Sequence, residues 1–320
     1  MTPSETPSAV LGARRRDRPA LTAVLILAGI LFLECLSSAP TNGGQGIDGR
    51  LSAKQGQVLL VVAPVEGMPT EVVGRFMTRT VPFFQAPGPG QGGRYLGLLG
   101  VDMEDKPGTH ELAIDLTYPD HAQRLSYHVL ILKEKFVTQH LKLPKDKVDL
   151  TEEDLARVKA EQEQVRTALS GASPLRLWSE AFLEPVHGNI SGAFGRARII
   201  NGQPRNPHNG EDISASMGTE VLAMNHGVVR LIADHFFPGK GVFLDHGLGL
   251  YSMYFHLSDI LVKDGEAVKR GQVIGKVGAS GRASGPHLHL GIKINGARVN
   301  PYSLMTLPLG EHEKPDLSAG

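Results

Sequence analysis

Apolar and polar side chains alternate along residues 111–118, with Leu112, Ile114, Leu116 and Tyr118 on one side and Glu111, Ala113, Asp115 and Thr117 on the other. A period of two describes a strand with one buried face. Leu125, Tyr127, Val129 and Ile131 repeat the pattern after Pro119-Asp120, a turn signal, so the two runs predict neighbouring strands. Strand-like patterning extends from Gly56 to Phe136, broken by the Pro/Gly-rich stretch from Ala86 to Gly93, which reads as a long loop. Several short strands within roughly 90 residues predict a small β-sandwich, immunoglobulin-like by analogy of fold.

The period then changes. Leu155, Val158, Gln162, Val165 and Leu169 fall near helical spacing, and Thr151 with Asp154 resembles a capping box. Glu152, Glu153, Lys159, Glu161, Glu163 and Arg166 form the solvated face of this expected helix, and Pro174 closes it. From Pro185 onward glycines punctuate short apolar runs, so the chain returns to β structure. The expected organisation is a leader or anchor over 1–40, a β-sandwich-like domain over 41–145, a helical linker over 146–184, a second β domain over 185–308 and a polar tail over 309–320.

The N-terminus carries an address. Arg14, Arg15, Arg16 and Arg18 precede an uncharged, mostly apolar run from Ala20 to Leu33, followed by Glu34, Cys35 and small residues. A basic region, an apolar core and small residues describe an export signal. As a helix of about 1.5 Å per residue the run is about 21 Å long, short of a hydrocarbon core of about 30 Å. Extension to Ala39 reaches the required length at the cost of enclosing Glu34. Cleaved signal and single-pass membrane anchor both fit, and a lipid anchor at Cys35 fits less well because Glu34 precedes it. Each places the bulk of the chain outside the cytoplasm, in the envelope or periplasm. Pro40 to Gly49 then reads as a linker.

Composition adds exclusions. The 320 residues are 41% hydrophobic and 21% charged, ordinary for a globular protein. Lys+Arg and Asp+Glu balance at 33 each, so no global field invites nucleic acid. A single cysteine, Cys35, excludes an intramolecular disulfide and a thiolate metal cluster.

Candidate chemistry lies in three histidine segments: His208-Asn-Gly-Glu-Asp212, Tyr254-Phe-His256-Leu-Ser258 and Gly285-Pro-His287-Leu-His289-Leu290. Pro207 and Gly210 argue that the first is extended, and residues four apart on an extended chain point to the same side. His287 and His289, two apart on an expected strand, share a face, while Leu288, Leu290 and Ile292 take the other face into a core. Separate segments thereby offer imidazole and carboxylate ligands suited to Zn²⁺ with a position left open for water. A His-x-His pair alone is weak evidence; the combination in this order is specific.

The run from His208 to Pro301 resembles the lysostaphin/LytM-type metallopeptidases, which carry His-x-x-x-Asp, Tyr-x-His-Leu-Ser and His-x-His. Ser191-Gly-Ala-Phe-Gly195, Gly218-Thr-Glu-Val221, Gly227-Val-Val229, Asp245-His-Gly247, Gly271-Gln-Val-Ile-Gly275, Gly278-Ala-Ser-Gly281 and Asn300-Pro301 match as well. Two departures are mild: Glu211 stands where an apolar residue is common, and Asn225-His226 where Ala-Asp is frequent. The resemblance implies one Zn²⁺ per chain held by His208, Asp212 and His289, with His256 and His287 beside it as catalytic histidines. It also implies a mainly β fold: an N-terminal β-sandwich-like domain, a connecting helix and a C-terminal antiparallel metallopeptidase sheet of the duplicated-hybrid-motif, or barrel-sandwich, type. The implied substrate is peptidoglycan peptide, in stem peptides or cross-links, cut by a zinc-activated water assisted by two histidines.

Two other readings differ in kind. Some LytM-type proteins lack metal ligands and activate amidases instead, but all five site positions are present here. Gly218 to Ala233 and Gly265 to Gly278 also resemble biotinyl/lipoyl carrier hairpins, yet Met224-Asn-His-Gly227 offers no lysine to modify. His246 is expected in a turn, and His110, His121, His128, His140, His187, His226, His235 and His312 at the surface or in turns. Arg196 and Arg198 fit either the rim of the groove or surface ion pairs.

Overall fold

The computed structural model describes residues 50–86, 93–142, 150–171 and 173–309. The export segment, the Pro40–Gly49 linker, residues 87–92 of the Pro/Gly loop and the tail from residue 310, with His312, lie outside them. Among the described residues no helix is long and apolar enough to cross a membrane.

The first strands are β1 (Arg50–Lys54), β2 (Val58–Val65), β3 (Glu71–Phe76), β4 (Arg79–Gln85), β5 (Gly93–Gly100), β6 (Gly108–Thr117) and β7 (Ala122–Leu132). They pair in the order β1-β7-β6-β3-β4-β5-β2. The expected alternation holds in β6, where Leu112, Ile114 and Leu116 are buried, and β6 pairs antiparallel with β7 through Leu112↔Tyr127 and Ile114↔Leu125. Leu59 and Val61 of β2 share one core with Val129 and Ile131 of β7, although these strands sit near opposite ends of the pairing order. The sheet therefore wraps around its core as a sandwich does.

β2 is buried on both faces. Leu59 and Val61 enter the first core, whereas Val58 and Leu60, with Leu96 and Leu98 of β5, enter the core of the C-terminal half. A nearly continuous apolar run, Val58 to Val65, is what a strand with no wet face requires. The seam is also pinned by charge. Asp102 accepts from the Arg298 backbone N (2.7 Å), Nε (3.0 Å) and Nη2 (2.7 Å). Burial opposes ionisation of Asp102, but the Arg298 bonds outweigh it and hold the carboxyl below its usual range.

β8 (Thr138–Leu141) leads to α1 (Glu152–Ala168). The expected capping box is present: the Thr151 side chain accepts from Asp154 N, and Asp154 returns to the Thr151 backbone. No residue of α1 is buried, so its own propensity and polar contacts hold it rather than a core-facing stripe.

The C-terminal half contains β9 (Asn189–Gly192), β10 (Ala197–Ile200), β11 (Gln203–Arg205), β12 (Glu211–Ser214), β13 (Glu220–Leu222), β14 (Gly227–His235), β15 (Gly239–Gly247), β16 (Leu250–Ile260), β17 (Ala267–Val268), β18 (Val273–Val277), β19 (His287–Ile294), β20 (Ala297–Val299) and α2 (Pro301–Met305). Its large antiparallel sheet runs β17-β14-β15-β16-β19-β12-β9, with β13, β18 and β20 paired off that path. A separate ribbon joins β11, β10 and β8. The chain is mainly β, as expected. Asn300-Pro301 starts α2: the Asn300 side chain accepts from Tyr302 N, and Pro301 occupies the first helical turn.

His246 departs from expectation. It lies in β15 rather than a turn and is wholly buried. Its Nδ1–H donates to His226 O (2.7 Å), which leaves Nε2 to accept from Ser252 Oγ (2.7 Å). Ser252 Oγ and the Tyr254 hydroxyl share a further bond at 2.9 Å. Burial pushes the imidazole down from 6.5 to about 4, so it is neutral at physiological pH. Below 6.5 the unfolded chain binds a proton that the folded chain refuses. Stability is thus full above that value and falls as the pH drops toward about 4. The urea midpoint of the metal-free protein is expected to drop between about pH 7 and about pH 5, with His246 supplying the equivalent of about 2 kcal/mol and the other buried imidazoles adding to it. His246→Gln should flatten that slope; an equally steep decline in the variant would exclude His246 as its source.

Candidate metal centre

The site forms where β12 runs antiparallel to β19 with Asp212 directly opposite His289. On β19, Leu288, Leu290, Ile292 and Ile294 are fully buried, which anchors the strand and turns His287 and His289 to the other face. That outcome matches the expected alternation. His208 arrives from the segment before β12 and is fixed by its backbone: Gly195 N donates to His208 O (2.7 Å) and His208 N donates to Arg196 O (3.0 Å).

Three donor atoms converge. His208 Nε2 lies 3.0 Å from Asp212 Oδ1 and 3.0 Å from His289 Nδ1, and His289 Nδ1 lies 2.8 Å from Asp212 Oδ1. These residues form the metal-compatible group among the described residues. His208 Nδ1–H donates to Ala193 O (3.0 Å), so the lone pair of Nε2 faces the cluster. Two inward lone pairs and a carboxylate oxygen at hydrogen-bond distance suit a shared cation, and the imidazole–carboxylate set suits zinc. Burial works against an ionised Asp212, but the adjacent His208 and His289 imidazoles outweigh it and keep the carboxyl far below its ordinary range. Burial lowers the His289 pKa, favouring the neutral form a ligand needs.

His256 and His287 stand beside this group. Their ring centroids are 4.6 Å apart, and His256 is 6.1 Å from His289 by the same measure. His256 Nδ1–H donates to Ser280 O and His287 Nδ1–H to Gly285 O, each at 2.8 Å, so in both rings Nε2 is the nitrogen turned to the groove. His287 Nε2 is 3.7 Å from Asp212 Oδ1. Burial pushes His256 down to about 4, against the bond to Ser280. His256 also adopts φ +61°, a left-handed backbone that costs roughly 1–3 kcal/mol outside glycine. At this residue β16 leaves β19, whose last partner pair is Phe255↔His289, and joins β18 from Leu257↔Val277. The twist lets an imidazole project where strict alternation would not place it.

Several contributors were not legible as site residues. Gly192 packs against Asp212: a Cβ there would lie 2.1 Å from Asp212 Oδ2. Gly210 packs against His289, where a Cβ would lie 2.5 Å from Nε2. Both glycines sit in quoted motifs, but only the folded chain reveals the close approach. Glu211, which departs from the family pattern, faces away from the cluster; its Oε1 accepts from Asn300 Nδ2 (2.9 Å), and burial raises its pKa.

The five histidine and aspartate positions line one groove of about 620 Å³, together with Phe237, Phe255, Arg282 and Ser284. Arg196 is absent from that lining, and its Nη1 donates to Ser191 O (3.4 Å). His235, expected at the surface, is buried at the groove wall, with Nε2 3.0 Å from Gln164 Oε1 of α1.

Fold and site together define a β-sheet metalloprotein: a His/Asp/His cluster that could hold a metal ion lines a groove, beside two further imidazoles. Comparison then identifies the lineage. The model of peptidase family M23 matches residues 206–301. The solved structure of an M23 peptidase candidate from Pseudomonas aeruginosa is 32% identical, covering 78% of this chain and 94% of that one at a TM-score of 0.58. This chain belongs to peptidase family M23. Peptidoglycan DD-endopeptidase ShyA of Vibrio cholerae is 45% identical over 94 residues, 29% of this chain and 22% of that protein. DD-carboxypeptidase/endopeptidase Mpg of Neisseria meningitidis is 38% identical over 138 residues, 43% of this chain and 32% of that protein. The matches thus span between about a fifth and a third of these curated relatives.

Gly192→Ala should weaken zinc binding by about 10–100-fold, because the added methyl displaces the Asp212 carboxylate. Competition with a chromophoric chelator measures this. Affinity equal to that of the unaltered protein would show that the Gly192–Asp212 approach does not set the ligand.

Proposed function

We propose that this chain is a zinc metalloendopeptidase that hydrolyses peptide bonds of bacterial peptidoglycan, in stem peptides or cross-links, in the cell envelope. The observation that carries this reading is the convergence of His208 Nε2, Asp212 Oδ1 and His289 Nδ1 in a groove toward which two further imidazoles turn Nε2. The names of the ShyA and Mpg relatives support peptidoglycan as substrate. The basic-then-apolar N-terminal segment supports export, with the bulk of the chain in the periplasm, either released or held by a single membrane anchor.

Zinc held by His208, Asp212 and His289 would supply a water of lowered pKa, near about 7, and a Lewis acid for the scissile carbonyl. The chain's own groups then manage protons. His256, neutral because burial holds its pKa near about 4, presents Nε2 as the acceptor for the proton of the attacking water. The carbonyl carbon gains an oxygen, the C–N bond breaks, and the same proton passes to the leaving amine. His287 faces the same space through Nε2 and, with a proton on that nitrogen, would donate to the oxygen on which negative charge develops. Ser280 O and Gly285 O act through these rings by fixing which nitrogen carries hydrogen.

The expected outcome for His256→Ala is full zinc content with turnover reduced by about 10²–10⁴-fold, whereas His208→Ala should lose the metal itself. Metal analysis by mass spectrometry and hydrolysis of defined muropeptides separate the two. Full turnover in zinc-loaded His256→Ala would sink the role given to His256. Mass spectrometry of the released fragments reads the bond that is cut, and intact muropeptides after incubation with zinc-loaded enzyme would sink the substrate.

A further inference from the structure

α1 lies outside residues 206–301, the part that matches the family, yet it contributes Val158, Glu161, Gln162 and Val165 to the groove above the metal cluster. These positions follow i, i+3, i+4, i+7 spacing and so form one helix face. The helix is fastened to the tip of the β14–β15 hairpin. Phe236 N donates to both Glu161 oxygens at 3.0 Å, Arg157 Nη2 donates to Asp234 O (3.2 Å), and Gln164 meets His235 (3.0 Å). At its C-terminal end Arg230 Nε donates to Ala168 O (3.0 Å).

We infer that α1 is a specificity-determining wall of the peptide groove, selecting an extended peptide with methyl-sized side chains. The inference rests on the peptidase reading above and names the substrate feature which that reading leaves open. Two observations distinguish a wall from a plug. With α1 seated, the groove still encloses about 620 Å³, room enough for a short peptide segment. Glu161, the carboxylate of α1 that lines the groove, accepts from Phe236 N and from Arg157 Nε (2.7 Å) and so is engaged away from the metal group. The face presented to the groove is chemically simple. Val158 and Val165, half-buried and two turns apart, are separated by about 10.5 Å along the helix axis, the span of about three residues of extended peptide. Gln162 between them offers a neutral amide for a peptide group. Such a surface favours short aliphatic side chains and gains little from glycine, which has no methyl to bury.

The test compares zinc-loaded wild type with Val158→Ser/Val165→Ser on two synthetic peptides of equal length, one carrying alanine at the residues flanking the scissile bond and one carrying glycine. The variant should lose about tenfold in kcat/KM for the alanine peptide, mostly through KM, and change less than about twofold for the glycine peptide. An unchanged alanine-to-glycine preference overturns the inference while leaving the peptidase reading intact. Glu161→Ala/Gln164→Ala, which unfastens the helix from the hairpin, should lower kcat/KM for the alanine peptide in the same direction. A rise in turnover would instead mean that α1 covers the groove and must leave it, which also overturns the wall. Far-UV circular dichroism and zinc content confirm that each variant is folded and loaded. Should wild type cleave neither peptide, the peptidase reading fails by itself. Titration of the alanine peptide into wild type and Val158→Ser/Val165→Ser then still reads the wall: about tenfold weaker binding by the variant upholds it and equal binding overturns it.

Discussion

The antiparallel pairing of β12 with β19, in the register that sets Asp212 against His289, is the constraint on which the centre depends. A slip of β19 by one residue would turn His289 into the core and bring Leu288 and Leu290 to the groove, so the register is held by the burial of those leucines. Ile213 on β12, fully buried, holds the partner strand by the same means. The metal group is therefore a consequence of hydrophobic packing on the opposite side of the sheet. Its polar atoms are brought to hydrogen-bond distance from segments far apart in the chain because the apolar side chains between them have a single favourable place to go.

Around that pairing the structure places its exceptions where chemistry is concentrated. Gly192 and Gly210 clear space for a carboxylate and an imidazole. His256 takes a left-handed backbone at the point where β16 changes partners. The energetic cost of that conformation is offset by bonds on either side, from His256 N to Pro238 O and from its ring to Ser280 O. The buried His246–Ser252–Tyr254 chain resembles a nucleophilic pair in composition, but burial and complete internal hydrogen bonding give it a structural role beneath the sheet.

The N-terminal sheet is built into the C-terminal half rather than tethered beside it. Its β2–β5 hairpin gives one face to each core, and Asp102 with Arg298 ties the seam. A strand shared between two cores makes movement at the seam expensive, since exposing Val58, Leu60, Leu96 and Leu98 forfeits their burial. α1 is the opposite case. It buries no residue and is held at the edge of the groove by hydrogen bonds to the β14–β15 hairpin.

Period-two alternation located β6, β7 and β19, helical spacing with the Thr151–Asp154 box located α1, and the histidine segments located the residues that cluster in the groove. These succeed because each is a local rule: a pleat, a helical turn or a cap is set by neighbours in the chain. His235 and His246 were misplaced because burial of a lone histidine depends on what packs over it from elsewhere, here α1 and the strands around Ser252. By itself the sequence determined the class of fold, the identity of the candidate ligands and the faces on which they lie. Only the tertiary structure decided which ring nitrogens point inward, which glycines make room, that β2 serves two cores and that a helix outside the family-matched segment lines the groove. Those features depend on contacts between segments many residues apart, and no local period in the chain records them.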